Sequence, residues 1–176
     1  MSKSLMAELV RRCAAEGGHD LFVDGVIKNL ASLKVCVFRH TGYVARIDSI
    51  AAYFQHQLEL LHPSVWQELF FRYGIVYTKV KDEAPAKYKE QAVVRNSLVA
   101  NGCIIEGTVE NCILSRSVVI EKDAVVRNSI ISQNVRIGSQ ARLSHVLCDK
   151  DSAVSAGRCL TGVLHNPFIV RKGAVV

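Results

Sequence analysis

The sequence predicts a mainly β protein built around a parallel β-helix of hexapeptide repeats, with a short mixed α/β segment in front of it. Two observations predict it. Asn111 to Arg127 overlays on Asn128 to Ser144 at an offset of 17 residues, pairing Ile113 with Ile130, Leu114 with Ile131, Val118 with Val135, Ile120 with Ile137, Ala124 with Ala141 and Val126 with Leu143. Within each copy the large apolar residues recur at steps of about six (Leu114, Ile120, Val126, Ile131, Ile137, Leu143, Cys148, Val154), usually with a small residue such as Ala124 or Ala141 four places on. An amphipathic α-helix needs steps of three and four, so this spacing excludes one. It is the spacing of three short strands per coil, and such a coil buries its apolar side chains only when stacked on a neighbour. A weaker copy begins at Asn96, and a fading one runs from Leu147 to Val154. The inward positions are then Val99, Ile105, Leu114, Ile120, Val126, Ile131, Ile137 and Leu143.

The segment before the repeat reads as alternating helices and short strands. Ser4 to Ala15 is a helix with an apolar stripe of Leu5, Leu9 and Cys13 beside Met6 and Val10, stopped by Gly17-Gly18. Asp20 caps a second helix reaching Leu30, with Phe22, Val26 and Ile27 inward. Lys34 to Phe38 is a strand, turned at His40-Thr41-Gly42 into Tyr43 to Arg46. Asp48 then caps a helix whose Ile50, Tyr53, Phe54, Leu58 and Leu61 face a core, and His62-Pro63 ends it. Ser64 to Gln67 has the capping-box form, and Ile75 to Thr78 is a last short strand. About 80 residues of this kind make a thin core, so the segment reads as the tail of something larger, with exposed apolar surface around Leu5, Leu9, Phe22 and Trp66. Lys79 to Gln91 has linker composition. The resulting division is 1–80, a linker at 81–91, and the β-helix with its C-terminal cap at 92–176.

Composition sets limits. Among the 176 residues, 49% are hydrophobic, yet no apolar run approaches a membrane span, and Glu8 comes too early for a signal peptide's apolar core. The expectation is a cytoplasmic chain. Six cysteines carry no C-x-x-C pair and no zinc spacing with histidine, which favours buried reduced thiols. The net charge of +6 is scattered, with no basic run interleaved with aromatics, so phosphorylated small molecules are at least as good a reading of it as nucleic acid, and no nucleic-acid partner is expected.

Two groups invite a functional reading. His145 is the one histidine of the coils, with only Asp149 and Asp151 near enough in sequence to orient it. A free-standing hexapeptide-repeat acyltransferase would use such a histidine as general base; a solvated turn residue is the plainer reading. Arg158, His165, Arg171 and Lys172 gather near the C-terminus, where an anion site competes with a simple capping segment closed by Phe168, Ile169 and Val170.

Several stretches carry a family resemblance. Asp24 to Ile27, Thr41-Gly42-Tyr43, Ile50 to Phe54 and Leu58 to Leu61 resemble the end of the nucleotidyltransferase domain of the ADP-glucose pyrophosphorylase (glucose-1-phosphate adenylyltransferase) family. Tyr77 to Tyr88, Asn96 to Gly102, Glu106 to Asn111 and Pro167 to Gly173 are similar to its GlgD-type regulatory subunit, so the likeness covers essentially the whole chain. The resemblance implies a left-handed β-helix, preceded by the C-terminal remnant of a nucleotidyltransferase domain. It also implies tetramers, a catalytic pyrophosphorylase subunit as partner, and a place in glycogen biosynthesis, where the family makes ADP-glucose from ATP and glucose 1-phosphate. A subunit of another sugar-phosphate nucleotidyltransferase is the neighbouring alternative. Phosphorylated effectors of the family bind near its domain junction, which is the resemblance's case for an anion site at Arg158, His165, Arg171 and Lys172.

Two departures from the family bear on activity. The family's glycine-rich nucleotide loop and its sugar-phosphate lysine region precede the matched stretch and are absent from these residues. Catalytic members also carry an aspartate for magnesium in a G-Y-W-R-D-V-G-T-like stretch; here it reads Gly42 to Ser49 with Arg46 at that position, a degenerate metal-ligand site whose charge repels a cation. The expectation is a chain with no catalytic, cofactor-binding or metal-binding residues of its own, although the full catalytic family uses Mg2+.

Overall fold

The computed structural model describes residues 1–72, 74, 76–77 and 82–176, which fall into two compact units, Met1–Thr41 and Gly42–Val176. In the first, α1 (Lys3–Ala15) starts at Ser2, whose hydroxyl accepts from the Leu5 N–H at 3.3 Å, and stops where Gly17 turns left-handed at φ 70. Leu9 and Cys13 are the buried residues of its stripe. Asp20 does cap, accepting from Phe22 N and Val23 N, but the element it starts is a π-helical turn (Leu21–Val26) followed by a 3-10 turn (Ile27–Asn29). Phe22 is not inward on its helix but 66% exposed, as part of the expected exposed apolar surface, while Leu9, expected on that surface too, is 1% exposed.

The expected hairpin of Lys34–Phe38 and Tyr43–Arg46 does not form: neither segment is a strand. Its alternating apolar residues have no sheet to join, and Val37 and Phe38 stand 92% and 88% exposed. A two-stranded hairpin without a covered face is marginal in water.

In the second unit, α2 (Ile50–Glu59) is capped by Ser49, whose Oγ accepts from Ala52 N at 3.0 Å; Asp48, expected as the cap, pairs with Arg46 instead. Phe54 is fully buried, but Ile50 is 52% exposed. The next helix, α3 (Pro63–Gln67), begins with proline at its first position and no side-chain cap, so Ser64 does not play the part the capping box assigned it. A π-helical turn, Glu68–Arg72, follows. Ile75 and Thr78, the ends of another expected strand, lie outside the described residues.

The β-helix is as the repeat demands: among the described residues, three parallel sheets of five strands each, wound in rotation. One face holds β1 (Lys87–Tyr88), β4 (Ile104–Ile105), β7 (Val119–Ile120), β10 (Arg136–Ile137) and β13 (Ala153–Val154). The second holds β2 (Val93–Arg95), β5 (Thr108–Glu110), β8 (Val125–Arg127), β11 (Arg142–Ser144) and β14 (Cys159–Thr161). The third holds β3 (Leu98–Val99), β6 (Ile113–Leu114), β9 (Ile130–Ile131), β12 (Val146–Cys148) and β15 (Phe168–Val170). Strand β1 falls inside the stretch of linker composition, because Lys87 pairs with Ile104 and its N–H reaches Cys103 O at 2.7 Å. Charged residues are compatible with a strand whose outer face meets water.

Registers explain the uneven copies. Val119 pairs with Arg136 and Arg136 with Ala153, steps of seventeen, but Ile104 pairs with Val119, a step of fifteen. The short coil turns from the first face to the second through Glu106-Gly107 alone. Gly107 is fully enclosed there: a Cβ would lie 2.3 Å from Ala124 O, so no other residue fits without displacing backbone. The last coil is longer, Leu147 pairing with Ile169, because Val163–Asn166 forms a small antiparallel loop at the corner between second and third faces.

Inside, Ile105, Ile120 and Ile137 stack on one face, Val109 and Val126 on the next, and Leu114 and Ile131 on the third, each 0–1% exposed; Leu143 is 2%. Val99, in the first coil, is only partly buried. Cys103, Cys112 and Cys148 take fully buried places, and burial pushes the thiols of Cys112 and Cys148 up to about 12. Cys36 and Cys159, by contrast, are exposed free thiols. The chain end closes the last coil through Val176, which donates to Ala153 O and accepts from Ser155 N. Phe168 and Ile169, expected to close it, are 40% and 41% exposed: Ile169 lies in the outward register of Leu147, Phe168 pairs with buried Val146, and Val170 is the buried residue of β15.

Replacing Ile137 by Ala should cost about 2–5 kcal/mol through the cavity it leaves. Ile104→Ala, at an outward position on the same face, should cost well under half of that. Chemical denaturation of both variants checks the assignment, and equal losses would contradict it.

Candidate functional site

The stretch for which the resemblance implies a magnesium aspartate begins at Gly42, and its first side chain is tightly held. Tyr43 Oη donates to Glu59 Oε2 at 2.5 Å, while its backbone N–H donates to Glu68 Oε1 at 2.8 Å. His56 Nδ1 lies 2.8 Å from the same oxygen of Glu59, and Gln55 Nε2 donates to the other at 3.0 Å. Residues 43, 55, 56, 59 and 68 thus bind one segment, α2 and the last π-helical turn into a single half-buried knot. The Tyr43 hydrogen bond, supported by His56 and Gln55, holds the Glu59 carboxyl down at about 2 against the opposing effect of burial. Burial, then the bond to that carboxylate, pushes the Tyr43 phenol up to about 12. Sequence reading missed this cluster; the i, i+3 spacing of His56 and Glu59 on α2 was the signal available.

Three residues further on, Arg46 stands free of the knot. Its side chain is 87% exposed and its Nε lies 3.3 Å from Asp48 Oδ2, whose own side chain is 58% exposed. A guanidinium offers only donors, and the nearest carboxylate is paired with it. Among the described residues, no group of three or more His, Cys, Asp or Glu side chains could hold a metal ion. The donor set at Gly42–Ser49 therefore does not fit magnesium.

His145 belongs to a structural column. The corner between the second and third faces repeats a left-handed residue: Asn96 at φ 42, Asn111 at 53, Asn128 at 45 and His145 at 53. Asn96 Nδ2 donates to Asn111 Oδ1 at 2.8 Å, and Asn111 Nδ2 to Asn128 Oδ1 at 3.2 Å, so the amides form a ladder up the corner. His145 continues the column, with Nδ1 3.1 Å from Ser144 Oγ. Neither candidate carboxylate orients it: Asp149 accepts from Lys150 N and Asp151 from Asn134 Nδ2. The arrangement lacks the base-and-orienter geometry of acyl transfer.

Arg158, His165, Arg171 and Lys172 are all exposed, and the winding separates them. Arg158 precedes β14 at the corner of first and second faces, His165 sits in the loop before β15, and Arg171-Lys172 follow β15 at the remaining corner. Proximity in sequence becomes three different corners of one coil. By contrast, residues seventeen apart share a face, which is how Arg127, Arg142, Ser144, Cys159 and Thr161 come to line one shallow cleft on the second face.

The third face has an outward apolar column, Leu98, Ile113, Ile130, Leu147 and Ile169, set in register by strand pairing. Helix α2 lies against β9 in its middle, where Ile130 is 3% exposed, and the column's ends at Leu98 and Ile169 remain 41% exposed. No helix among the described residues is long and apolar enough to cross a membrane.

Comparison with known proteins agrees with this architecture. A family model described as GlmU-like, C-terminal hexapeptide, matches residues 82–164. The chain is 41% identical over 175 residues to the glycogen biosynthesis protein GlgD of Bacillus subtilis (strain 168), covering 99% of this chain and 51% of that protein. It is 46% identical over 175 residues to GlgD of Geobacillus stearothermophilus, with the same coverage of 99% and 51%. It is 33% identical over 144 residues to the glucose-1-phosphate adenylyltransferase of Corynebacterium jeikeium (strain K411), covering 78% of this chain and 35% of that enzyme. The chain spans about half the length of the GlgD relatives it matches.

The knot at Glu59 has a pH signature. Its carboxyl is depressed in the folded chain from an ordinary 4.5 to about 2, so the contribution is complete above about 4.5 and is lost as pH falls through about 2. Tyr43→Phe, which removes the donor, should destabilise by about 1–3 kcal/mol at pH 7. Denaturation followed through Trp66 fluorescence should show that difference shrinking as pH falls from 4.5 towards 2. A pH-independent difference would separate Tyr43 from the ionisation of Glu59.

Proposed function

The chain is a GlgD-type, ADP-glucose pyrophosphorylase-related protein, and from that premise we propose that it serves as the assembly portion of a regulatory subunit in glycogen biosynthesis, without catalytic activity of its own. The observation that carries this reading is the match to GlgD proteins along 99% of the chain. The partner is a glucose-1-phosphate adenylyltransferase subunit. The β-helix is the part suited to assembly: it is rigid, and its third face keeps Leu98 and Ile169 uncovered at the ends of an aliphatic column. Apolar columns of this kind are stabilised by a second surface that removes them from water.

The chemistry points the same way. Adenylyl transfer needs the triphosphate cradled, the sugar phosphate positioned and the phosphate charge neutralised. These 176 residues contain no glycine-rich phosphate loop. At Gly42–Ser49 the side chain standing in the metal-binding position is the cation Arg46.

Purified chain given ATP, magnesium and glucose 1-phosphate should form no ADP-glucose, and Arg46→Asp should not rescue it, because one carboxylate restores only one of three requirements. Sustained magnesium-dependent pyrophosphate release by the unmodified chain, with contaminating enzyme excluded, would overturn the non-catalytic reading. Co-expression with a catalytic adenylyltransferase subunit should yield a complex that co-elutes on gel filtration; separate elution at micromolar concentration would overturn the partner.

A further inference from the structure

The second face of the β-helix carries charge differently from the first. On the first face Lys89 Nζ pairs with Glu106 at 2.6 Å and Arg136 with Glu121 at 2.9 Å, so its cleft mixes acids with cations, Lys87 and Lys122 among them. On the second face the carboxylate is Glu110, in the second coil, and it is taken by Arg127 Nε at 2.7 Å and Arg95 at 3.8 Å. Two coils further on, Arg142 has no side-chain hydrogen bond or ion pair among the described residues. Its strand neighbour towards the chain end is Cys159, and the adjacent column runs Arg127, Ser144, Thr161.

These side chains project from the same face. Outward neighbours on adjacent strands stand roughly 4.8 Å apart, and alternate residues along a strand roughly 6.6 Å apart. Arg127, Arg142, Ser144 and Thr161 therefore line one cleft of about 260 Å³ floored by the strands themselves, with Ser144 between Arg127 and Thr161 and beside Arg142. Two guanidiniums supply planar, permanently charged donors; Arg127 keeps its terminal amino groups while its Nε serves Glu110. The two hydroxyls supply rotatable donors, and Ser144 is held by its contact with His145 Nδ1 at 3.1 Å. One arginine without an acid partner, a second shared with Glu110, and two hydroxyls on one sheet face match the chemistry of a tetrahedral oxyanion.

We propose that Arg127, Arg142, Ser144 and Thr161 form an oxyanion site on the second face that takes a phosphate group, free or as a small phosphate monoester. It is distinct from the C-terminal residues Arg158, His165, Arg171 and Lys172, which lie on three corners. It is also independent of whether the chain partners a catalytic subunit.

Cys159 provides the reporter, since its exposed thiol lines the same cleft. The purified chain is treated with iodoacetamide, and alkylation of Cys159 and Cys36 is followed by peptide mass spectrometry, with inorganic phosphate or with sodium chloride at equal ionic strength. Phosphate should slow modification of Cys159 about threefold when present at twice its dissociation constant, because the unliganded fraction falls as 1/(1 + [L]/Kd). Cys36, in the other unit, should react at an unchanged rate. Glycerol 3-phosphate should protect as phosphate does if a monoester enters, and protection by phosphate alone assigns the site to the free ion. Arg142→Gln should abolish the protection while leaving the circular dichroism spectrum unchanged, and Arg142→Lys should retain part of it. Equal Cys159 rates in phosphate and chloride, or undiminished protection in Arg142→Gln, would overturn the site. Calorimetric titration of phosphate into the unmodified chain gives a second readout that does not depend on the thiol.

Discussion

Register between stacked coils is the constraint on which the rest of this structure depends. Each coil donates its strand N–H groups to the coil beside it, as Ile104 N does to Val118 O at 2.9 Å and Val119 N to Val135 O at 3.0 Å. Each inward aliphatic then sits on its equivalent in the next coil, so the backbone ladder and the core are aligned together. Turning three corners per coil in so few residues is done mostly with left-handed backbone. All nine non-glycine residues with positive φ among those described stand at corners, from Asn96 to Asp151. Asparagine and aspartate tolerate that conformation best, which is why the corners are rich in them. The amide ladder from Asn96 through Asn128 adds side-chain hydrogen bonds in the stacking direction to those of the corner backbone, where Asn111 N donates to Arg95 O and Asn128 N to Glu110 O.

The periodic part was legible because one physical rule writes every coil. An offset of seventeen residues in sequence became strand pairing at the same offset, and the inward residues came out as read. The deviations from that rule were not legible. A two-residue contraction at Glu106-Gly107 and the Val163–Asn166 loop change the local step, and β1 hides in charged residues because only its outward side chains are polar. The segment before the coils was read less well for a different reason. Local signals there place caps and turns to within a residue or two, as with Ser49 acting where Asp48 was expected. They cannot say whether a strand-like stretch such as Lys34–Phe38 has a partner, because a strand is stable only through what it pairs with.

The site residues divide along the same line. Arg46 was singled out in the sequence only through the resemblance, and in the structure it is exposed and paired with Asp48. The Tyr43–His56–Glu59 knot was not, since it joins residues 16 apart through side chains whose types have many other uses. The knot has a consequence for Arg46. Tyr43 is bound to α2 and to Glu68 without help from residues 44–48, so the hold on this segment does not depend on which side chain stands at position 46.

A solenoid also decides which residues can act together, and it does so against sequence intuition. Arg158, His165, Arg171 and Lys172 are within fifteen residues of one another and yet turn three different corners. Arg127 and Arg142 are fifteen apart and share one face. The relevant neighbourhood is the column, not the stretch. By columns the three faces are chemically distinct: paired lysine, arginine and glutamate on the first, aliphatic side chains under α2 on the third, and arginine with hydroxyls on the second. The inward positions must stay aliphatic to keep the coils stacked, so variation is free only on the outward ones. There, a change at one position meets neighbours fifteen or seventeen residues away before it meets its own sequence neighbours. Faces of one solenoid can therefore specialise separately, one for acids and cations together, one for apolar cover by α2, and one for arginine with hydroxyls.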